Sequence, residues 1–137
     1  MADAETFSMR RCALALALSF PIVIVPFIAS AAEVVPYTSQ AFAAAQKAGD
    51  PILVEITASW CPTCKAQKPI LGKLESDPKF KDLKVFDVDF DSQKDVVRNF
   101  KATMQSTLIT FKGDHETARS VGDTNPDSIG ALLEKAI

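Results

Sequence analysis

Residues 52–65 read Ile52-Leu53-Val54-Glu55-Ile56-Thr57-Ala58-Ser59-Trp60-Cys61-Pro62-Thr63-Cys64-Lys65. The first half, opened by Pro51, is a short β-branched run of the kind buried on both faces in a central strand. The second half puts Pro62 at the first position of a helix, where its missing N–H costs nothing. Ile70, Leu71 and Leu74 continue that helix to about Glu75, with a kink expected near Pro69. A Cys-x-x-Cys pair therefore falls on a strand-to-helix junction. Two thiols at this spacing on a first helical turn can close a small disulfide ring. Cys61 sits where unpaired N–H groups and the helix dipole stabilise a thiolate, so it is the expected nucleophile. Cys64, one turn deeper and more shielded, is expected to resolve the mixed disulfide. Pro62 stiffens the turn and removes one N–H that could have stabilised the thiolate.

Two other readings of the pair carry less. A purely structural disulfide would join residues that are already neighbours, and so would contribute little loop-closure entropy. A structural zinc site wants four ligands, and the pair supplies two sulfurs. His115 is the sole histidine and falls in an expected hairpin turn, which suits a solvated turn residue. No metal ligand is assigned.

Working outward, Ser39 to Ala48 has Phe42, Ala45 and Ala48 at helical spacing, with Thr38 or Ser39 as N-cap and Gly49 as the stop. Leu83 to Phe90 alternates as a strand does. Ser92 and Asp95 suggest a capping box opening a helix with Val96, Val97 and Phe100. Thr107–Phe111 and Glu116–Val121 flank a hairpin turn at residues 112–115. Asn125 before Pro126 opens a last helix with Ile129, Leu132, Leu133 and Ile137 on one face. The order predicts an α/β domain over residues 32–137: a central mixed sheet of about four strands with helices on both faces.

The chain has 137 residues, is 47% apolar, and has a formal net charge of −2, which gives no sign of a nucleic-acid partner. The average conceals two parts. Residues 1–31 are about two-thirds apolar, whereas the remainder is about 42% apolar, as soluble domains usually are. Arg10 and Arg11 precede an uncharged stretch from Cys12 to Ala32, and Ala29-Ser30-Ala31-Ala32 offers small-residue cleavage sites before Ala32 or Glu33. Residues 1–31 are thus expected to be a signal peptide or, if uncleaved, an N-terminal membrane anchor; Pro21 and Pro26 count against a well-formed spanning helix. Either way the domain is exported, to the periplasm or the extracellular space, and its thiols meet an oxidising compartment. Cys12 reads as an apolar residue of the leader.

The segment Ile52–Lys65 before a proline-kinked helix resembles the thioredoxin superfamily. The resemblance covers about residues 36–137 and continues in Ser106-Thr107-Leu108-Ile109-Thr110-Phe111-Lys112-Gly113 and in Val121-Gly122. It implies the thioredoxin fold and dithiol–disulfide exchange, with Cys61 attacking and Cys64 resolving. It also implies that Trp60 helps shape a flat docking surface, with Pro62, Thr63 and Lys65 completing the motif. Three positions depart from the pattern. Glu55 stands where the family usually has a buried aspartate beneath the second cysteine; it is expected either to serve as the proton acceptor or to be a solvent-facing strand carboxylate. Asp87 stands where thioredoxins proper have a lysine. If Glu55 and Asp87 face each other, both cannot comfortably ionise, and one holds a proton near Cys64. Ser106 stands where the family has a nearly universal cis-proline, so a trans Gln105–Ser106 bond and a reshaped groove are expected. Substrate chains are expected to pair with the backbone at Gln105, Ser106 and Thr107 as a short added strand.

The expected function is an exported thiol-disulfide oxidoreductase that exchanges a Cys61–Cys64 dithiol or disulfide with protein thiols and disulfides. The reducing direction is favoured because disulfide-introducing relatives insert a helical domain that this chain has no room for. Its electrons would come from a membrane donor. No cofactor beyond the redox-active pair is expected, and a monomer is. The contrasting reading is a binding module: a Cu(I) carrier, an iron–sulfur scaffold bridging two chains, or a docking domain, raised by the missing proline.

Overall fold

In the computed structural model, which describes residues 31–137, the run that opened the sequence reading is the middle of the sheet. β1 (Glu33–Pro36) and β2 (Pro51–Thr57) both pair in parallel with β3 (Lys84–Asp89). On its other edge β2 pairs antiparallel with β4 (Thr107–Lys112), which in turn pairs antiparallel with β5 (His115–Val121). The order is β1-β3-β2-β4-β5, so the sheet has five strands, not the four expected. The strand that escaped the sequence is β1. It is four residues long, mostly exposed, and ends in proline, so it has neither apolar alternation nor length; pairing with β3 makes it a strand.

Side-chain alternation along β2 splits the interior in two. Ile52, Val54 and Ile56 face α1 (Ser39–Ala48) and α3 (Lys94–Asn99), packing with Phe42, Phe86, Val97, Ile109 and Phe111. Leu53 faces the other way, toward α2 (Pro62–Glu75) and α4 (Pro126–Glu134), among Leu71, Leu108, Ile129 and Leu133. Period two then puts Glu55 in the second layer with Leu53, beneath α2. In the first layer, the Phe42 ring stands nearly perpendicular to the Phe86, Phe100 and Phe111 rings at 5.3–5.5 Å, the edge-to-face arrangement that aromatic quadrupoles favour.

The helix ends follow the expected chemistry with two exceptions. Thr38 accepts the Ala41 N–H at 3.1 Å, and Gly49, at φ 78°, ends α1 in the left-handed conformation that glycine adopts without strain. Asn125 caps α4 through the Asp127 and Ser128 N–H groups. The capping box expected at Ser92 and Asp95 does not form. Ser92 instead donates both N–H and hydroxyl to Asp89, and α3 begins at Lys94 after a Gln93 that makes no side-chain cap. Ile137, expected on the inner face of α4, lies past the helix end and is exposed, while Ala136 is buried in its place. The leader expected over residues 1–31 lies, but for its last residue, outside the described residues. Among the described residues no helix is long and apolar enough to cross a membrane.

Candidate active site

Cys61 turns the chain from strand to helix. Its extended backbone makes it the N-cap of α2, and its Sγ accepts the Cys64 N–H at 3.0 Å. An N-cap acceptor is ordinarily a hydroxyl or carboxylate oxygen. With sulfur in that place, the same hydrogen bond and the positive end of the helix dipole stabilise negative charge on Cys61. Cys61 and Cys64 form a disulfide with Cα atoms 5.3 Å apart. Both are buried, 1% and 2% exposed, against Ala58 and Phe90. The expected difference in shielding is therefore absent from their exposure. What separates them is position: Cys61 caps the helix from outside, and Cys64 lies within its first turn.

Around the pair, Pro62 and Lys65 are exposed and Thr63 is half-buried. Trp60 is 56% exposed, and its indole N–H donates to the Asp91 carboxylate at 2.6 Å. The bond ties the end of β2 to the turn after β3. That turn also carries Phe90, which packs on the cysteines and lies under the Lys94 ammonium at 4.4 Å.

Glu55 is 9% exposed, so it is not a solvent-facing strand carboxylate. Burial pushes its carboxyl up from 4.5 to about 8; the Glu75 carboxyl, with which it shares a hydrogen bond, and then Asp87 add to the rise, against Lys68. Burial likewise raises Glu75. The expected Glu55–Asp87 pair contributes to the rise but does not lead it. The two residues are register partners across β2 and β3, yet Asp87 is exposed and accepts the Thr57 hydroxyl at 2.8 Å. The carboxyl that meets Glu55 comes from the far end of α2. Cys64, Lys68, Leu71 and Glu75 recur at helical spacing on one face, and a cleft of about 230 Å³ is lined by Val34, Glu55, Lys68, Leu71, Gly72, Glu75 and Asp87.

The loop before β4 has no cis peptide bond, so Gln105–Ser106 is trans as expected. Ser106 instead takes a left-handed backbone, φ 55°. Gln105 is half-buried, and Ser106 and Thr107 are buried. The Ser106 carbonyl accepts the Gly122 N–H at 2.9 Å and the Gln105 carbonyl accepts the Ser106 hydroxyl at 2.6 Å, which leaves the Gln105 N–H as the open part of the expected docking edge.

Sequence reading missed Asp91, Phe90, Glu75 and Gln67. Glu75 and Gln67 had a signal: each is polar and stands at the spacing of the buried face of α2. Asp91 and Phe90 had none, since the contact of Asp91 with Trp60 and of Phe90 with the cysteines depends on how β3 ends. Among the described residues no cluster of three or more His, Cys, Asp or Glu is placed to hold a metal ion.

A mixed five-stranded sheet between two helical layers, with a disulfide-forming Cys-x-x-Cys capping the helix after its central strand, defines a dithiol–disulfide exchange protein. The thioredoxin family model matches residues 33–135. A thioredoxin H-type of Fagopyrum esculentum is 32% identical over 61% of this chain and 71% of its own length. A thioredoxin of Mycobacterium tuberculosis is 36% identical over 53% of this chain and 61% of its own. The crystal structure of Trxlp from Edwardsiella tarda superposes with a TM-score of 0.72 at 42% identity, covering 74% of this chain and 98% of that one. The chain belongs to the thioredoxin family, and it is a thiol-disulfide oxidoreductase.

Proposed function

We propose that this protein is exported and reduces disulfides in protein substrates outside the cytoplasm, with a membrane partner as its electron donor. The leader of Arg10-Arg11 and the uncharged run to Ala32 supports export. The short connections through the described domain, with no helical insertion, support the reducing direction. The observation that carries the chemistry is the Cys61 sulfur serving as the cap acceptor of α2 while bonded to Cys64.

In the proposed cycle the Cys61 thiolate attacks one sulfur of the substrate disulfide, and the other substrate sulfur leaves as a thiolate. Cys64 then gives up its proton to the Glu55–Glu75 pair, its sulfur attacks Cys61, and the second substrate sulfur departs. The substrate gains two electrons and takes its protons from solvent; the protein is left with the Cys61–Cys64 disulfide, which the donor reduces. Glu55 accepts only when ionised, so the resolving step quickens as pH rises toward about 8. The redox work rests on the cysteine pair without a further cofactor, and the working unit is a monomer.

Insulin-disulfide reduction driven by dithiothreitol tests the activity. Turnover that disappears in Cys61→Ser supports it; metal-dependent absorbance with little turnover would favour the carrier reading instead. Cell fractionation and N-terminal sequencing of the mature chain test export.

A further inference from the structure

Gln67 lies three residues beyond Cys64 on the inward side of α2 and is 2% exposed. A buried amide is costly unless its hydrogen bonds are made. Its Nε2 donates to the Asp123 carbonyl at 2.8 Å and reaches the Ser106 carbonyl at 3.4 Å. One side chain of the redox helix thus holds the loop before β4 and the loop after β5 together. The Ser106 backbone needs such a hold. A non-glycine residue at positive φ costs about 1 kcal/mol or more and persists only where its surroundings fix it. Its carbonyl is met from two sides, by Gly122 N–H and by Gln67, and the turn is closed internally where the Thr107 hydroxyl donates to Met104 O at 2.7 Å.

We infer that Gln67 is a positioning residue. It fixes the Ser106 turn relative to Cys61 and Cys64, so that the Gln105 N–H, whose own carbonyl is taken by the Ser106 hydroxyl, is presented to an extended peptide carrying the disulfide. Where a proline ring would restrict the turn, this chain uses an amide anchored in the helix that also carries the cysteines. The inference rests on the oxidoreductase reading and assigns to Gln67 the margin by which disulfides set in extended peptide chain are favoured over small disulfides that have no backbone to pair.

The test compares reduced wild-type protein with Gln67→Met, which keeps an unbranched side chain of similar length but cannot donate. Single-turnover rates are measured against a peptide disulfide with extended flanks and against 5,5′-dithiobis(2-nitrobenzoate). Losing a docking hydrogen bond's worth of alignment lowers the peptide rate about tenfold and leaves the aromatic disulfide within about twofold. Equal losses on both substrates, or no loss on either, would overturn the assignment while leaving the oxidoreductase reading intact. A wild-type chain that reduces neither would overturn that reading as well. Amide exchange of the unaltered protein gives a second measurement independent of how the variant folds. Gly122 N–H, which donates to Ser106 O, is expected to be protected along with β4; free exchange there while β4 stays protected would overturn the fixed turn.

Discussion

Replacing Glu55 with glutamine removes a titrating proton from beneath α2 at nearly constant size. In the folded chain the carboxyl is held up from 4.5 to about 8, first by burial and then by Glu75 and Asp87. Between those values the folded protein keeps a proton that the unfolded chain has released. Stability is therefore fully present below about pH 4.5 and is lost as pH rises toward about 8. At about 1.4 kcal/mol per pH unit, that interval sets a ceiling of about 5 kcal/mol, a large part of the ~5–15 kcal/mol by which domains are usually stable. Glu75 shares the titration and remains in Glu55→Gln, so the variant's profile is expected to be flatter than the wild type's without being flat. Urea unfolding followed by circular dichroism from pH 5 to 8.5, with the disulfide intact, measures both slopes. Parallel profiles for the two proteins would refute the assignment of a buried proton to Glu55.

Glu75→Gln leaves the burial of Glu55 but removes the like charge that adds to it, so the pH at which the resolving step accelerates is expected to fall below about 8 in stopped-flow exchange. Cys64→Ser is expected to trap substrates on Cys61 as mixed disulfides, recovered by non-reducing electrophoresis and lost in Cys61→Ser. Ser106→Pro imposes a φ near −65° where the chain has 55°, so thermal unfolding is expected to show a loss of more than about 1 kcal/mol unless the turn rebuilds. Asn125→Ala takes the cap from two N–H groups of α4 and is expected to cost about 1 kcal/mol in urea unfolding, with exchange rates unchanged.

The fold was legible because its centre is written locally. The β-branched run of β2, Pro62 at the start of α2 and the helix stop at Gly49 each act through residues a few positions apart. What was not legible depends on partners far along the chain. β1 is a strand only because Lys84–Asp87 offers it an edge. Ser92 looked like a cap because the sequence does not show that Asp89 reaches it first. The cysteines could be read from spacing and flanking residues alone. The partner of Glu55 could not: the family resemblance pointed to Asp87, but the side chain leaves the plane of the sheet and meets Glu75 in the last turn of the helix above it.

Trp60 is the chain's one tryptophan, and it adjoins Cys61 with its indole fixed to Asp91. Indole emission from this protein therefore arises at a single point beside the reacting sulfurs. A disulfide close to an excited indole quenches it and a dithiol does so less, so each turnover brightens or dims the native fluorescence. The molecule carries its own optical gauge of oxidation, read without a label and without disturbing the surface on which substrates land.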